Sequence, residues 1–96
     1  MDIEFLDELS GIIAQRVKEK PAGSYVHKLT SEGPSAVRAK ITEEAAELVE
    51  ASELKDRKEI VWEAADLLFH MMVLLEVHGI SLGEIVDELK KRQKPR

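Results

Sequence analysis

Apolar residues recur at intervals of three and four over most of the chain, which is the spacing of one face of an α-helix. The pattern predicts four helices, over about residues 2–19, 35–53, 57–78 and 81–93. No stretch alternates apolar and polar residues as a half-buried strand does. The sequence therefore predicts an all-α fold, and we expect the 96 residues, 1–96, to form a single domain.

Turn-forming residues separate the predicted helices. Residues 20–34 contain two prolines and two glycines, so we expect a loop there, of a length typical of binding segments. Ser35, Asp56 and Ser81 are the residues expected to cap the three helices that follow. Gly79 is expected to end the third helix in the left-handed conformation that glycine adopts readily.

The predicted third helix is apolar around its whole circumference between Ala64 and Leu75, except at Asp66 and His70. Such a helix is normally buried, and four helices of this length cannot cover it well. We therefore expect a homodimeric helical bundle, in which a second copy of the chain covers this helix. An ionised Asp66 inside a buried helix needs a cation partner, because an unpaired buried charge is costly. Asp66 is thus the strongest candidate functional residue.

Two acidic clusters lie on the predicted second and third helices, namely Glu43, Glu44 and Glu47, and Glu63 and Asp66. Like charges three or four residues apart on a helix repel one another unless a cation lies among them. If the two helices face each other, these carboxylates converge as hard oxygen ligands suited to Mg²⁺ or Mn²⁺. The alternative for the first cluster is an ordinary solvated helix face. The expected core face of the second helix consists of Ile41, Ala45, Leu48, Val49 and Ser52.

The composition of the chain excludes several classes of function. Charged residues make up 34% and apolar residues 44% of the chain, with a net charge of −5 and no basic stripe suited to nucleic acid. The absence of cysteine excludes disulfides, thiol nucleophiles and zinc–thiolate sites. The apolar run of residues 67–75 is shorter than the ~20 residues of a membrane span, and the acidic start Met1–Glu4 is unlike a signal peptide. We expect a cytoplasmic protein that binds neither membranes nor nucleic acid.

Three motifs, in this order along the chain, resemble those of one enzyme family. They are GSYVHKL at Gly23–Leu29, KITEEA at Lys40–Ala45 and EAADLLFH at Glu63–His70. The acidic spacing resembles that of the all-α nucleoside-triphosphate pyrophosphatase (MazG-like) superfamily, and the three motifs together are similar to those of phosphoribosyl-ATP pyrophosphohydrolase. The resemblance covers about residues 6–92 and implies a dimeric bundle of four to five helices. It also implies Mg²⁺-dependent hydrolysis of phosphoribosyl-ATP to phosphoribosyl-AMP and pyrophosphate, in histidine biosynthesis.

The resemblance also implies roles for individual residues. Mg²⁺, or Mn²⁺ as a substitute, is expected to bind Glu44, Glu47, Glu63 and Asp66. Water activation is expected from Glu43, with Glu44 and Glu47 as further candidates. Residues expected to bind the nucleotide substrate are Ser24, Tyr25, Lys28, Arg38 and Lys40. Lys40 could instead pair with Glu44 on the surface. His70 is expected to be a buried histidine beside the site, and Trp62 to pack in the core or between subunits.

Other functions stay open at this point. A house-cleaning pyrophosphatase for ordinary or damaged nucleoside triphosphates would use the same carboxylates, and only the Gly23–Leu29 segment argues against it. A non-catalytic helical dimerisation module would explain the apolar third helix but not its Asp66. A di-metal storage or oxidase bundle needs Glu-x-x-His, whereas here Glu63 is followed three residues later by Asp66.

Overall fold

The computed structural model describes residues 1–19 and 23–93, which form five α-helices. The helices are α1 (Glu4–Glu19), α2 (Tyr25–Ser31), α3 (Pro34–Glu53), α4 (Arg57–Val77) and α5 (Leu82–Arg92). The predicted all-α fold of four to five helices is confirmed. No helix of these residues is long and apolar enough to cross a membrane.

The segment 20–34 differs from the prediction, because much of it is helical. The helix α2 occupies Tyr25–Ser31, and Ser24 caps it by accepting a hydrogen bond at 2.9 Å from the backbone N–H three residues later. The glycines and the second proline that predicted a loop flank this short helix. Pro21, which contributed to the same prediction, lies outside the described residues. The expected binding loop is therefore largely a helix with a defined cap.

The start of α3 also differs from the prediction. Gly33, with a φ of 94°, is the residue before the helix, and Pro34 is its first residue, so Ser35 is not the cap. Proline suits the first helical position because the nitrogen there has no intrahelical partner in any case. The boundary residues predicted for the later helices are confirmed at Asp56, Gly79 and Ser81.

A small apolar core lies where the first four helices meet. Its buried members are Ile13, Val26, Leu29, Val37, Met72 and Val73. Of all the helix pairs, α3 and α4 pack along each other most extensively. Because the two acidic clusters lie on these two helices, this packing positions them relative to each other.

The buried side of α3 overlaps the predicted core face only in part, since Ile41 packs against the core. Its buried residues are Val37, Glu44 and Ala51, which lie seven residues apart and hence along one line of the helix. Val49, expected in the core, is 57% exposed, and Ser52 is exposed as well. The helix is thus turned so that part of its acidic side faces the bundle. The solvated-face alternative for the first cluster does not hold for Glu44.

The helix α4 is buried on one side only. Its buried residues are His70, Met72 and Val73. Val61 is 63% exposed and Trp62 is 65% exposed, while Asp66 is half-buried. A single chain therefore leaves part of this helix uncovered, as the sequence analysis expects, and Trp62 does not belong to the core. The covering of the exposed apolar side by a second copy stays a prediction.

Candidate active site

The packing of α3 on α4 brings predicted carboxylates together. Glu63 on α4 lies within hydrogen-bonding reach of Glu47 on α3, and the charge of Asp66 acts on Glu63 as well. One oxygen of Glu63, Oε2, is buried and has no hydrogen-bond donor. We refer to Glu47, Glu63 and Asp66 as the acidic cluster. Its members repel one another when all three are ionised.

This crowding raises the pKa of Glu63 from 4.5 to about 7. The largest cause is the hydrogen bond to Glu47, which forms only when a proton lies between the two carboxyl groups. Burial and the charges of Glu47, Asp66 and Glu59 raise the pKa further. A carboxyl group that keeps its proton near neutral pH lies in a place where a cation would be favourable.

Glu44 is held by a different partner, His70. The Nδ1 atom of His70 lies 2.6 Å from Oε1 of Glu44 and 3.0 Å from the backbone oxygen of Asp66. The Nε2 atom of the same ring lies 2.7 Å from the hydroxyl oxygen of Tyr25. Glu44 is 6% exposed and His70 is 5% exposed, so both are inside the bundle. One of the two Glu44 carboxylate oxygens is therefore engaged by the histidine.

Tyr25 lies at the point where the predicted groups meet. Burial is the main cause that raises the pKa of its phenol, and the nearby charge of Lys40 acts in the opposite direction. The charges of Glu44, Asp66 and Glu43 raise the pKa further. The start of α2 thus lies close enough to carboxylates of both acidic helices for their charges to act on Tyr25.

In the described part of the chain, the other predicted substrate-binding residues form no hydrogen bond or ion pair with the acidic cluster. Ser24 uses its hydroxyl oxygen as the cap of α2. Lys28 and Arg38 are exposed, and Lys40 is half-buried. Within the described part of the chain, none of these three cations forms an ion pair. The surface pair of Lys40 with Glu44 does not form, because Glu44 is paired with His70.

The acidic cluster suits a hard divalent cation by its chemistry. In residues 1–19 and 23–93, no three His, Asp or Glu side chains converge closely enough to form a closed metal site. The donor set nevertheless fits Mg²⁺, because it offers carboxylate oxygens, including the buried Glu63 Oε2 that lacks a partner. A cation here would take the place of the proton between Glu47 and Glu63.

Comparison with known proteins identifies the family. Residues 6–93 match the sequence profile of phosphoribosyl-ATP pyrophosphohydrolase. The chain belongs to the phosphoribosyl-ATP pyrophosphohydrolase family. The acidic cluster, Glu44 and Tyr25 all lie within the part of the chain that matches this family.

Individual relatives agree with this family over most of the chain. The phosphoribosyl-ATP pyrophosphatase of Metallosphaera sedula is 50% identical over 91 residues, which cover 95% of this chain and 98% of the relative. That of an Azoarcus species is 42% identical over 93 residues, covering 97% and 87% respectively. The histidine biosynthesis bifunctional protein HisIE of Bacillus subtilis is 42% identical over 87 residues, covering 91% of this chain but 42% of that protein.

Two histidines have surroundings that the sequence did not predict. His70 was expected to be buried beside the site, which is confirmed, but its links to Tyr25 and Glu44 were not predicted. A buried imidazole needs hydrogen-bond partners for both nitrogens, and this requirement is what could have predicted that His70 has two partners. His27 on α2 has a buried Nδ1 atom with no hydrogen-bond partner. The predicted loop contained no signal that would have placed this residue on a helix.

The metal-free protein is expected to lose stability as the pH rises from about 4.5 to about 7. Glu63 has a pKa near 4.5 when unfolded and about 7 when folded, so the folded state binds more protons across this interval. The free energy of unfolding therefore falls with rising pH, and the stabilisation present below pH 4.5 is lost by about pH 7. Urea unfolding at a series of pH values measures this slope.

The matched variant for this prediction is Glu63→Gln, which cannot titrate. Its unfolding free energy should vary less over the same interval than that of the parent. Glu76 contributes a slope of the same sign, because burial and then the charge of Glu84 raise its pKa, so the comparison isolates Glu63. Identical pH profiles for parent and variant would show that the Glu47–Glu63 proton is not held in the folded protein.

Proposed function

We propose that this protein hydrolyses phosphoribosyl-ATP to phosphoribosyl-AMP and pyrophosphate, in histidine biosynthesis. The observation that carries the proposal is the acidic cluster between α3 and α4, in which Glu63 lies within hydrogen-bonding reach of Glu47 and one buried oxygen of Glu63 has no partner among the described residues. A cluster of this kind suits a cation-bound triphosphate. The relatives bear the name phosphoribosyl-ATP pyrophosphatase. We also propose a cytoplasmic location, as for an enzyme that acts on a free nucleotide.

The proposed cofactor is Mg²⁺, with Mn²⁺ as a substitute. Glu47, Glu63 and Asp66 would hold it, and Glu44 would add the carboxylate oxygen that His70 does not engage. When bound, the cation would neutralise charge on the phosphates and on the departing pyrophosphate. The raised pKa of Glu63 and its unpartnered buried oxygen support this assignment.

The proposed general base is Glu43. This residue is exposed and takes part in neither the Glu47–Glu63 pair nor the Glu44–His70 pair. It lies close enough to Tyr25 for its charge to act on the phenol. Glu44 and Glu47 are weaker candidates, because each already has a hydrogen-bond partner. A carboxylate without such a partner can accept the proton of the attacking water.

Cations for the phosphate groups are available on α2 and α3. Lys40 lies near Tyr25, and Lys28 follows Tyr25 on α2. Because Lys40 is half-buried and forms no ion pair among the described residues, it is the best placed to contact a phosphate oxygen. Lys28 and Arg38 are exposed and would contact the more distant anionic groups.

The test is an assay of pyrophosphate release with phosphoribosyl-ATP, ATP and deoxynucleoside triphosphates as parallel substrates, each with Mg²⁺. We expect rapid release from phosphoribosyl-ATP and little from the others. Equal or faster turnover of ordinary nucleoside triphosphates would indicate a house-cleaning pyrophosphatase instead. Absence of turnover with every substrate would indicate a non-catalytic module.

We propose that the protein is a homodimer joined through the exposed apolar side of α4. Val61, Trp62 and Met71 are all exposed on this helix. Val61 and Trp62 also line an open groove of about 690 Å³ at its first turns. Large exposed apolar surfaces on a small domain are typical of interfaces between subunits. A second copy would bury these side chains and give the domain a larger core.

Replacing Met71 with glutamate is expected to dissociate the dimer and lower its stability. A charged side chain at the interface would have to be buried without a partner on association. Sedimentation equilibrium at micromolar concentration should give a dimer for the parent and a monomer for Met71→Glu. The control is Ala39→Glu, which adds the same charge at an exposed position of α3 and should stay dimeric. A monomeric parent would contradict the proposed dimer.

A further inference from the structure

A continuous hydrogen-bonded chain runs from the first residue of α2 to a buried carboxylate of α3. Tyr25 contacts His70 at 2.7 Å, and His70 contacts Glu44 at 2.6 Å. We infer that Tyr25 is a positioning residue that, through His70, holds the Glu44 carboxylate in the orientation needed to bind the cation of the site. The inference rests on the proposed function, which assigns Glu44 to that cation.

The direction of each hydrogen bond follows from the chemistry of the three groups. A tyrosine hydroxyl keeps its proton at neutral pH, and that of Tyr25, on a residue that is 48% exposed, donates it to Nε2 of His70. An imidazole nitrogen that accepts carries no proton, so the ring proton lies on Nδ1. Nδ1 then donates to Oε1 of Glu44, with the backbone oxygen of Asp66 as a second acceptor at 3.0 Å.

The hydroxyl of Tyr25 is the hydrogen bond that holds the Nε2 side of the imidazole, whereas Nδ1 faces two acceptors, Glu44 and the backbone oxygen of Asp66. Phe69 and Tyr25 lie edge-on to the His70 ring, at centroid distances of 5.3 Å and 5.7 Å, and hold its plane. Neither ring contact is a hydrogen bond to a ring nitrogen. Loss of the hydroxyl would leave Nε2 without its donor and allow the ring to turn, so that Nδ1 would hold the Glu44 carboxylate less firmly.

The consequence for the site concerns the second oxygen of Glu44. A carboxylate with one oxygen held by a donor presents the other in a defined direction, whereas a released carboxylate must be ordered when the cation binds. Partners that orient a metal ligand in this way typically contribute a factor of about 10–100 to metal affinity. Because Tyr25 is on α2, the position of this helix and the orientation of Glu44 are coupled.

The test is Mn²⁺ binding, measured by electron paramagnetic resonance on Tyr25→Phe, which removes only the hydroxyl. We expect its Mn²⁺ affinity to fall by about 10- to 100-fold. The control is Thr30→Val, which removes a hydroxyl of the same helix that donates at 2.8 Å to the Val26 carbonyl and has no link to His70. The control should bind Mn²⁺ as the parent does. Parent-like affinity in Tyr25→Phe, or an equal loss in Thr30→Val, would overturn the inference.

A spectroscopic measurement tests the link without a metal. In ¹⁵N spectra of the metal-free parent, His70 should carry its proton on Nδ1, and its Nε2 resonance should move downfield in Tyr25→Phe as the donor is lost. An unchanged Nε2 resonance would overturn the inference. A parent protein that binds no Mn²⁺ would overturn the proposed cofactor itself, which distinguishes that failure from failure of the Tyr25 link alone.

Discussion

Asp66→Asn is expected to lower pyrophosphohydrolase activity by more than about 100-fold, beyond the effect typical of a residue that only orients a ligand. The amide keeps the size of the side chain but removes the charge that a cation would bind. In the metal-free protein, the same change relieves repulsion with Glu63, whose pKa the charge of Asp66 raises. The variant should therefore melt at or above the temperature of the parent, and added Mg²⁺ should no longer stabilise it.

The control for this prediction is Asp87→Asn on α5. Asp87 is exposed, and the same loss of charge there should leave activity and Mg²⁺ stabilisation unchanged. If Asp66 had a structural role, Asp66→Asn would lower the melting temperature and leave activity largely intact. If Asp66 paired with a buried cation of the protein, its loss would cost about 3–5 kcal/mol. An Asp66→Asn variant that stays active while it melts far lower would show that the site has been misplaced.

Removal of divalent metal is expected to abolish turnover completely. The site as proposed consists of carboxylates that face a polyanionic substrate, and without a cation the two repel each other. Treatment with EDTA should stop pyrophosphate release, and excess Mg²⁺ should restore it. Mg²⁺ at a hundred times its dissociation constant should also raise the free energy of unfolding by about 2.7 kcal/mol.

The two readouts of metal removal check each other. Loss of activity without any Mg²⁺-dependent stabilisation would indicate that the cation enters with the substrate and not through the protein carboxylates. Undiminished turnover in a fully chelated sample would exclude the proposed role of the acidic cluster altogether.

The helical fold was predictable because the apolar periodicity and the capping residues point to the same elements. Asp56, Gly79 and Ser81 mark helix boundaries by local chemistry, and each acts where it was predicted to act. The helix α2 was missed because its seven residues are too few to show periodicity, and glycines and prolines surround it. Its cap, Ser24, was instead interpreted as a ligand of the substrate.

The candidate site was predictable as a set of residues but not in its internal pairing. Spacing places Glu44 and Glu47 on one side of α3, yet it cannot show that Glu44 enters the bundle and meets His70. The pairing depends on the rotation of α3 about its axis, which is set by packing against α4. The pattern of charged residues is consistent with an acidic side of α3 that faces solvent. In the structure, the buried line of this helix consists of Val37, Glu44 and Ala51 and so includes one of those acids.

The exposed side of α4 is a related case. The apolar sequence predicts that this helix is covered on every side, and a single chain covers one side and leaves Val61 and Trp62 exposed. Hydrophobicity shows that a surface prefers to be covered, but it does not show which chain covers it. The same sequence signal is therefore consistent with the proposed dimer.

Anomalous diffraction from crystals that contain Mn²⁺ tests the central claim most directly. The claim is that carboxylates of α3 and α4 form one cation-binding catalytic centre. We expect an anomalous peak within coordination distance of the carboxylate oxygens of Glu47, Glu63 and Asp66, and no such peak in crystals of Asp66→Asn. A peak elsewhere, or no peak in a protein whose turnover Mn²⁺ supports, would contradict it.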